Sequence, residues 1–153
     1  MRIALIMLAA GNSRRFGGNK LLYEIDGNPM YRYILDRLIA VAGAGGQGKE
    51  VSSCVLETGS LKNIKQEMTV TVVTQYEEIE EEARALGVPV YINPHPDEGI
   101  SSSLKIGLKA NLDADACLFT VSDQPWLTAG TIRQLITLLE TTGKGIACVS
   151  SEG

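Results

Sequence analysis

Short apolar runs alternate with longer amphipathic stretches along this chain of 153 residues. The apolar runs cover residues 3–10, 70–74, 88–92, 117–121 and 146–149. Stretches with helical periodicity cover residues 29–41, 76–86, 101–110 and 128–139, with Pro29 in a first turn and Ser101 and Thr128 as N-caps. Such alternation is typical of βαβ units on a parallel sheet. The sequence therefore predicts an α/β fold.

Three further segments have weaker patterns. The stretch 43–49 is rich in glycine and predicts a loop, residues 51–56 a short strand, and residues 61–68 a short helix. In the helix predicted at 76–86, Ile79, Ala83 and Leu86 share one face, and the five glutamates at 77, 78, 80, 81 and 82 take the rest. We interpret this acidic run as a solvated helix face rather than a metal site.

Composition excludes several classes of partner. The formal net charge is -4 and the pI about 5.0, so the chain lacks the basic excess of a nucleic-acid or anionic-membrane binder, and any phosphate must be bound locally. Three dispersed cysteines and one histidine offer few zinc ligands and favour a reducing cytoplasm. The run at 3–10 is better interpreted as a buried strand than as a signal peptide, and no run approaches the ~20 apolar residues of a membrane span.

A loop dense in glycine and positive charge follows the first predicted strand. Glycines allow several backbone N–H groups to converge on a phosphate, and Arg14, Arg15 and Lys20 can neutralise its charge. The loop fits neither a P-loop, because Lys20 lies between Asn19 and Leu21, nor the dinucleotide fingerprint. A surface turn with incidental charges is the alternative, but ligands of open α/β sheets collect at strand carboxyl ends.

The segment LAAGNSRRFGGNKLL resembles the LAAGxSxRxGxxKxL signature of nucleotidyltransferases that make molybdenum cofactor dinucleotides. This resemblance implies nucleotide contacts from Leu8, Ala9, Ala10, Gly11 and Ser13. It further implies that Arg15 and Lys20 hold the phosphates. Arg14 lies at a variable position of the signature and receives no role from it.

A carboxylate follows the apolar run at 117–121. Asp123 at such a strand end can hold Mg²⁺, which typically uses one or two carboxylates and substrate phosphates. Taken alone, the residue also fits a turn or a helix cap before Thr128, and its combination with the first loop favours the metal site. The segment Ser122-Asp123-Gln124-Pro125 is similar to the DQP motif of the cytidylyl-transferring branch, in which the aspartate binds the metal. Guanylyl-transferring relatives more often have methionine in place of Gln124.

A third segment, NPHPDEGISSSL, begins at Asn93 and leads into a predicted helix. Helix N-termini attract anions, although a serine run at this point is more often only a cap. The segment resembles the family's NPxxxxGxxxSL pattern, which implies nucleotide contacts from Asn93, Gly99 and Ser103. His95 falls at a variable position and is interpreted as a loop residue.

Together the three motifs resemble the molybdenum cofactor cytidylyltransferase family of MobA-like NTP transferases. The resemblance implies a three-layer α/β/α, Rossmann-like fold with a mostly parallel sheet and a cytoplasmic, Mg²⁺-dependent enzyme. It would transfer CMP from CTP to molybdopterin and release pyrophosphate, with Arg15, Lys20 and Asp123 as catalytic residues and a molybdenum hydroxylase as a further partner. Alternatives are a guanylyltransferase, a sugar-phosphate nucleotidyltransferase, or a non-catalytic accessory protein that delivers the cofactor.

Two features depart from the family pattern. The stretch 42–67 is longer than relatives usually have there, so no role is assigned within it. Family members also typically continue for some tens of residues beyond the position of Gly153. We therefore expect residues 1–153 to form a single nucleotidyltransferase domain, C-terminally truncated and without the acceptor part, in which CTP binding survives better than catalysis.

Overall fold

The structure is a computed structural model that describes residues 1–46 and 66–150. The described residues form six strands and four helices, joined by turns and two short 3-10 segments. The strands are β1 (Arg2–Ala9), β2 (Glu24–Ile25), β3 (Asn28–Pro29), β4 (Glu67–Thr74), β5 (Val90–Ile92) and β6 (Ala116–Val121). The helices are α1 (Met30–Gly46), α2 (Glu77–Ala85), α3 (Ile100–Ala110) and α4 (Ala129–Thr142).

The main sheet has the strand order β5-β4-β1-β6, and every neighbouring pair is parallel. The chain builds one side of β1 first, through α1 to β4 and α2 to β5, and then crosses by α3 to the other side. Strand order thus reverses beside β1, which is where open α/β sheets bind ligands. The small β2–β3 ribbon is antiparallel and lies outside this sheet. The prediction of a mostly parallel α/β sheet is confirmed.

Side chains of β1 alternate between two cores. Ile3, Leu5 and Met7 join a large cluster with residues of α1, α2 and α4, whereas Ala4 and Ile6 join a smaller cluster under α3. Because successive strand residues point to opposite faces, an almost wholly buried apolar strand requires helices on both sides. The arrangement confirms the three-layer α/β/α prediction.

One polar group penetrates the larger core. The Tyr31 hydroxyl donates to Glu82 of α2, and the same carboxylate pairs with Arg32 of α1. Burial, reinforced by the hydrogen bond to Glu82, raises the pKa of Tyr31 well above its ordinary value. Glu82 is therefore part of the α1–α2 contact, which corrects the prediction that it lies on a solvated face.

Several predicted elements differ from the structure. The strand predicted at 146–149 is wrong: these residues form no strand, and Ile146 is 87% exposed. An apolar run becomes a strand only beside a backbone that pairs with it, and none of the described residues does so here. The helix predicted at 29–41 begins at Met30 and continues to Gly46, so the loop predicted at 43–49 is partly helical.

Smaller corrections concern the residues at which predicted elements begin and end. The helix predicted at 61–68 is wrong at its end, because Glu67 and Met68 belong to β4; the strand predicted at 51–56 lies outside the described residues. Helix α3 begins at Ile100 with Gly99 as its N-cap, so Ser101 is not the cap. Thr128 caps α4 as predicted, accepting from the backbone N–H of Thr131 at 3.1 Å.

No helix in the described ranges combines the length and apolarity that crossing a membrane requires.

Candidate active site

A pocket of about 400 Å³ lies at the carboxyl ends of β1 and β6, beside the start of α3. It occupies the reversal in strand order described above, where loops from both halves of the sheet meet. The pocket is lined by Leu8, Ala10, Gly11, Asn12, Arg14, Lys20, Leu21, Pro96, Asp97, Gly99, Ile100, Ser103, Val121, Ser122 and Asp123.

Hydrogen bonds fix the path of the loop that follows β1. The Ser13 hydroxyl accepts from the backbone N–H of Lys20 at 3.1 Å, and the Ser13 backbone carbonyl accepts from the Phe16 N–H at 2.9 Å. Outside the loop, Gln75 Nε2 donates to the Ala10 carbonyl at 2.8 Å and the Tyr76 hydroxyl donates to the Gly11 carbonyl at 2.6 Å. The loop therefore has a defined shape and presents Lys20 to the pocket.

An ion pair crosses the pocket between the two strand ends. Lys20 Nζ lies 2.7 Å from Asp123 Oδ2, although the two residues are 103 positions apart. The Ser122 hydroxyl donates to the Leu8 carbonyl at 3.0 Å and keeps the end of β6 against β1. Both members of the pair are partly exposed, at 40% and 38%, so solvent and ligands can reach them.

The third wall is the start of α3, and buried hydrogen bonds organise it. Asn93 is 2% exposed; its Nδ2 donates to the hydroxyls of Ser102 and Ser103 at 2.8 and 2.9 Å. Its Oδ1 accepts from the His95 N–H at 2.8 Å. Gly99 adopts φ 84° and ψ -174°, a conformation that is essentially restricted to glycine, and this turn directs the chain into the helix.

Seven of the eleven predicted site residues line this pocket: Leu8, Ala10, Gly11, Lys20, Gly99, Ser103 and Asp123. The other four lie elsewhere, each for a visible reason. Ala9 points into the larger core, and Ser13 shapes the loop from within. Asn93 uses its amide inside the protein, and Arg15 is exposed outside the lining. Their nucleotide contacts stay predictions.

Sequence reasoning missed one part of the lining. Arg14, Asn12 and Asp97 meet in the pocket lining; the loop pattern suggests a charge role for Arg14 alone, and the motifs assign no role to any of the three. Arg14 and Asp97 both lie at variable motif positions and are 83 residues apart, so no local pattern could connect them. The only available signal was the opposite charge of the two residues in adjacent loops of an α/β sheet.

Comparison with known proteins places this pocket in a family. A family model described as the MobA-like NTP transferase domain matches residues 5–153. The chain belongs to the MobA-like NTP transferase family. This membership confirms the family resemblance.

Curated relatives of this MobA-like chain match over short stretches. One is named "Probable molybdenum cofactor guanylyltransferase" from Pyrococcus horikoshii (strain ATCC 700860 / DSM 12428 / JCM 9974 / NBRC 100139 / OT-3). It is 50% identical over 38 residues, which is 25% of this chain and 20% of that protein. The name assigns that relative a guanylyltransferase activity on the molybdenum cofactor.

Solved structures share the fold over most of the chain. CMP:2-keto-3-deoxy-manno-octonic acid synthetase complexed with CTP superposes with a TM-score of 0.68 at 18% identity, covering 94% of this chain and 49% of that one. Rv0371c from Mycobacterium tuberculosis H37Rv superposes with a TM-score of 0.58 at 22% identity, covering 92% of this chain and 61% of that one. A second Rv0371c structure is a complex with manganese. The MobA-like chain thus spans about half of the first structure.

Proposed function

We propose that this protein transfers a nucleoside monophosphate from a nucleoside triphosphate to the phosphate of molybdopterin, with CTP as the donor and pyrophosphate as the second product. The observation that carries the proposal is the Lys20–Asp123 pair, 2.7 Å apart across a pocket walled by the glycine-rich loop. Family membership and the molybdenum cofactor relatives support the reaction class.

The chemistry requires positioning and charge neutralisation rather than an activated side chain. The acceptor phosphate is itself the nucleophile, so the reaction needs no serine, cysteine or histidine nucleophile. The Lys20 ammonium group has three N–H donors and uses one of them in its hydrogen bond to Asp123. The other two can bind phosphate oxygens and stabilise the charge that gathers on the pyrophosphate. Arg15 is exposed and adjacent in sequence to the lining residue Arg14, and the family signature assigns its charge to the phosphates as well.

Asp123 is suited to hold Mg²⁺. Its Oδ2 accepts from Lys20, whereas Oδ1 has no protein partner within residues 1–46 and 66–150, and the side chain is 38% exposed. One open carboxylate at a phosphate pocket matches the preference of Mg²⁺ for few protein ligands completed by phosphates and water. The manganese complex of Rv0371c supports a divalent cation in this fold. When bound, Mg²⁺ would neutralise charge on the triphosphate.

Two observations bear on the base. The SDQP segment with Gln124 favours cytidine, and a CTP complex of the same fold is consistent with that choice. The names of the curated relatives favour guanosine and make GTP the second candidate donor. Cytoplasmic location and a molybdenum hydroxylase as the receiving partner belong to the proposal on the same family grounds.

The decisive experiment supplies the protein with molybdopterin, Mg²⁺ and either CTP or GTP, and measures dinucleotide by chromatography and pyrophosphate by a coupled assay. We expect the dinucleotide to form from CTP. Formation of the dinucleotide from GTP instead would support the guanylyltransferase alternative. Binding of molybdopterin without pyrophosphate release from either nucleotide would instead indicate an accessory protein.

Asp123→Asn tests the metal site within that assay. We expect product formation to fall by at least about a hundredfold, because a neutral amide cannot replace the carboxylate in binding the metal. The unfolding midpoint should not change, because the Asp123 side chain is partly exposed. Asp113→Asn is the matched control: this carboxylate lies near the amino end of β6, paired with Arg2 and away from the pocket. Retained turnover in Asp123→Asn would remove Asp123 from the mechanism.

A further inference from the structure

A second pair of opposite charges lines the pocket, at the turn that follows β5. Arg14 Nη2 contacts Asp97 Oδ1, and Asn12 Nδ2 donates to the same oxygen at 2.8 Å. All three residues belong to the pocket lining. The pair joins the loop after β1 to the turn after β5, just as Lys20 and Asp123 join that loop to the end of β6.

Further hydrogen bonds brace this wall. Gln75, which follows β4, donates through Nε2 to Asn12 Oδ1 at 2.8 Å and to the Ala10 carbonyl at 2.8 Å. A continuous series of contacts therefore runs from Gln75 through Asn12 to Asp97 and Arg14. Asp97 receives donors from two side chains at once, so much of its negative charge is already compensated at the pocket surface.

The pair contributes little to folding. The side chains of Arg14 and Asp97 are 75% and 71% exposed, and exposed ion pairs typically add little to stability. Arg14 engages Asp97 through one nitrogen, whereas a guanidinium carries five N–H donors. In the described part of the chain the Arg14 side chain has no other hydrogen-bond or ion-pair partner, so most of its N–H donors are available at the edge of the pocket.

We propose that Arg14 binds the polyphosphate of the nucleotide and that Asp97 is the positioning residue that holds Arg14 toward the pocket. The inference rests on the proposed function only in taking a nucleoside triphosphate as the ligand. Arg14 lines the pocket and the neighbouring Arg15 does not, so in this chain the variable arginine position supplies the second cation beside Lys20. The phosphates would be held between two walls, by Lys20 and by Arg14.

Asp97 has two opposing effects on a bound phosphate. Its charge repels the anion, but its contact also restricts Arg14, whose free side chain would lose rotamer entropy on being fixed by a phosphate. Because Asn12 and Arg14 both donate to Asp97, the repulsion is reduced and the restriction remains. Removing Asp97 should consequently weaken phosphate binding.

The test is calorimetric titration of the protein with inorganic tripolyphosphate, CTP, GTP and cytidine. We expect Arg14→Ala to weaken tripolyphosphate and triphosphate binding by about tenfold, the loss of one charge-assisted contact, and to leave cytidine binding unchanged. Arg14→Lys should recover part of that loss. Asp97→Ala should weaken tripolyphosphate binding about threefold to fivefold and Asp97→Asn less, because the amide oxygen still accepts a hydrogen bond from Arg14.

The double variant separates positioning from a structural effect. If Asp97 acts through Arg14, Arg14→Ala combined with Asp97→Ala should bind no more weakly than Arg14→Ala alone. The matched control is the ion pair between Arg84 and Glu80 on α2, which lies outside the pocket lining. Arg84→Ala and Glu80→Ala should leave all four affinities unchanged.

The outcomes distinguish this inference from the proposed function. Equal tripolyphosphate affinity in wild type and Arg14→Ala would overturn the inference and leave the transferase proposal intact. Arg14-dependent binding without dinucleotide formation would support the inference and overturn the transferase proposal. Tighter binding in Asp97→Ala, or additive losses in the double variant, would overturn the positioning role, and no binding of any phosphate by the wild type would overturn both proposals.

Discussion

The two faces of the main sheet are built by different means. The face covered by α1, α2 and α4 buries eighteen apolar residues of the described chain, whereas the buried part of the α3 cluster comprises four. Around α3, hydrogen bonds between buried polar side chains replace part of the apolar packing. Thr71 donates to Asn111 at 3.3 Å, and Asn93 donates to Ser102 and Ser103. The ligand pocket includes Gly99, Ile100 and Ser103 from the α3 side.

This difference separates stability from positioning. Apolar burial is non-directional, and a core of aliphatic side chains accepts many arrangements of similar volume. A hydrogen bond needs a particular partner at a particular distance, and a buried polar atom without one is costly. We infer that the larger core supplies most of the folding free energy, while the α3 face fixes the geometry of the pocket.

The largest expected effect is on the larger core. Leu35 of α1 is fully buried there, and Leu35→Ala should lower the free energy of unfolding by about 3 kcal/mol through lost burial and a residual cavity. Urea denaturation followed by circular dichroism measures the loss, and the nucleotide affinity of the folded protein should not change. Leu138→Ala, at a position 47% exposed on α4, is the control and should cost far less. Equal losses at the two positions would contradict the assignment of stability to this core.

Asn93→Ala should give the next largest effect on stability and a larger effect on the pocket. Removing the amide takes away the donor to the Ser102 and Ser103 hydroxyls and the acceptor of the His95 N–H, at a cost of about 2 kcal/mol, although Ser102 still donates to the Gly99 carbonyl. We also expect weaker CTP binding in titration, because Ser103 lines the pocket. Ser101→Ala, which removes an exposed hydroxyl, should be nearly neutral. Lost stability with unchanged affinity would show that Asn93 does not position the pocket.

Gly107→Ala tests how closely α3 approaches the sheet. An added Cβ would lie 2.9 Å from Ile6 Cγ2 and 3.4 Å from the Phe119 ring, so either the Ile6 side chain or α3 must shift. Overpacking typically costs about 1–3 kcal/mol, and the higher helix propensity of alanine offsets up to about 1 kcal/mol. We expect a net loss of about 1 kcal/mol and weaker CTP binding.

Gly130→Ala on α4 is the control for Gly107→Ala. Its added Cβ meets only Thr128 Oγ1 at an ordinary 3.6 Å, so the substitution should be neutral or slightly stabilising. A Gly107→Ala variant as stable as Gly130→Ala, with wild-type affinity, would show that the α3 face tolerates movement and would weaken the contrast between the faces.

The smallest effect concerns the polar group in the larger core and appears only at alkaline pH. Because the pKa of Tyr31 is raised in the folded protein, the folded state keeps its proton above pH ~10 while the unfolded state loses it. Stability from this group is complete below pH ~10 and falls as pH rises further, by up to about 1.4 kcal/mol per pH unit.

Urea unfolding at pH 9 and pH 11 measures this dependence. Tyr31→Phe should lose about 1 kcal/mol less than the wild type between the two pH values, since phenylalanine has no proton to release. Tyr91→Phe, at an exposed position, should behave like the wild type. Identical pH dependence in wild type and Tyr31→Phe would contradict a buried, protonated Tyr31.

The sequence predicts the fold well where pattern and position coincide. The apolar run at 3–10 is the central strand, and Thr128 is a helix cap, because burial period and cap chemistry are local properties. The run at 146–149 has the same apolar pattern but no pairing partner among the described residues, and a pattern cannot reveal that. Likewise, Pro29 suits a helix start but lies in a two-residue strand paired with Glu24.

The same distinction applies to the site. Gly11, Lys20 and Asp123 are recognisable because each follows a strand in a motif with specific spacing, and the parallel topology brings them together. Asn93 carries a motif position as well, but whether its amide faces a ligand or two serines depends on side-chain rotation. The Arg14–Asp97 pair depends on how two loops fold over each other, and no motif encodes that contact.

The position of β1 in the sheet also has a consequence for folding. This strand precedes its partners along the chain, and its hydrogen bonds are complete only when β6 pairs with it; Ser122, for example, bonds to the Leu8 carbonyl 114 positions earlier. Until then an eight-residue apolar strand has an unpaired edge, and pairing over such sequence distances is slow. An edge of this buried apolar strand thus stays open until β6 pairs with it, and during that interval the folding chain is exposed to aggregation.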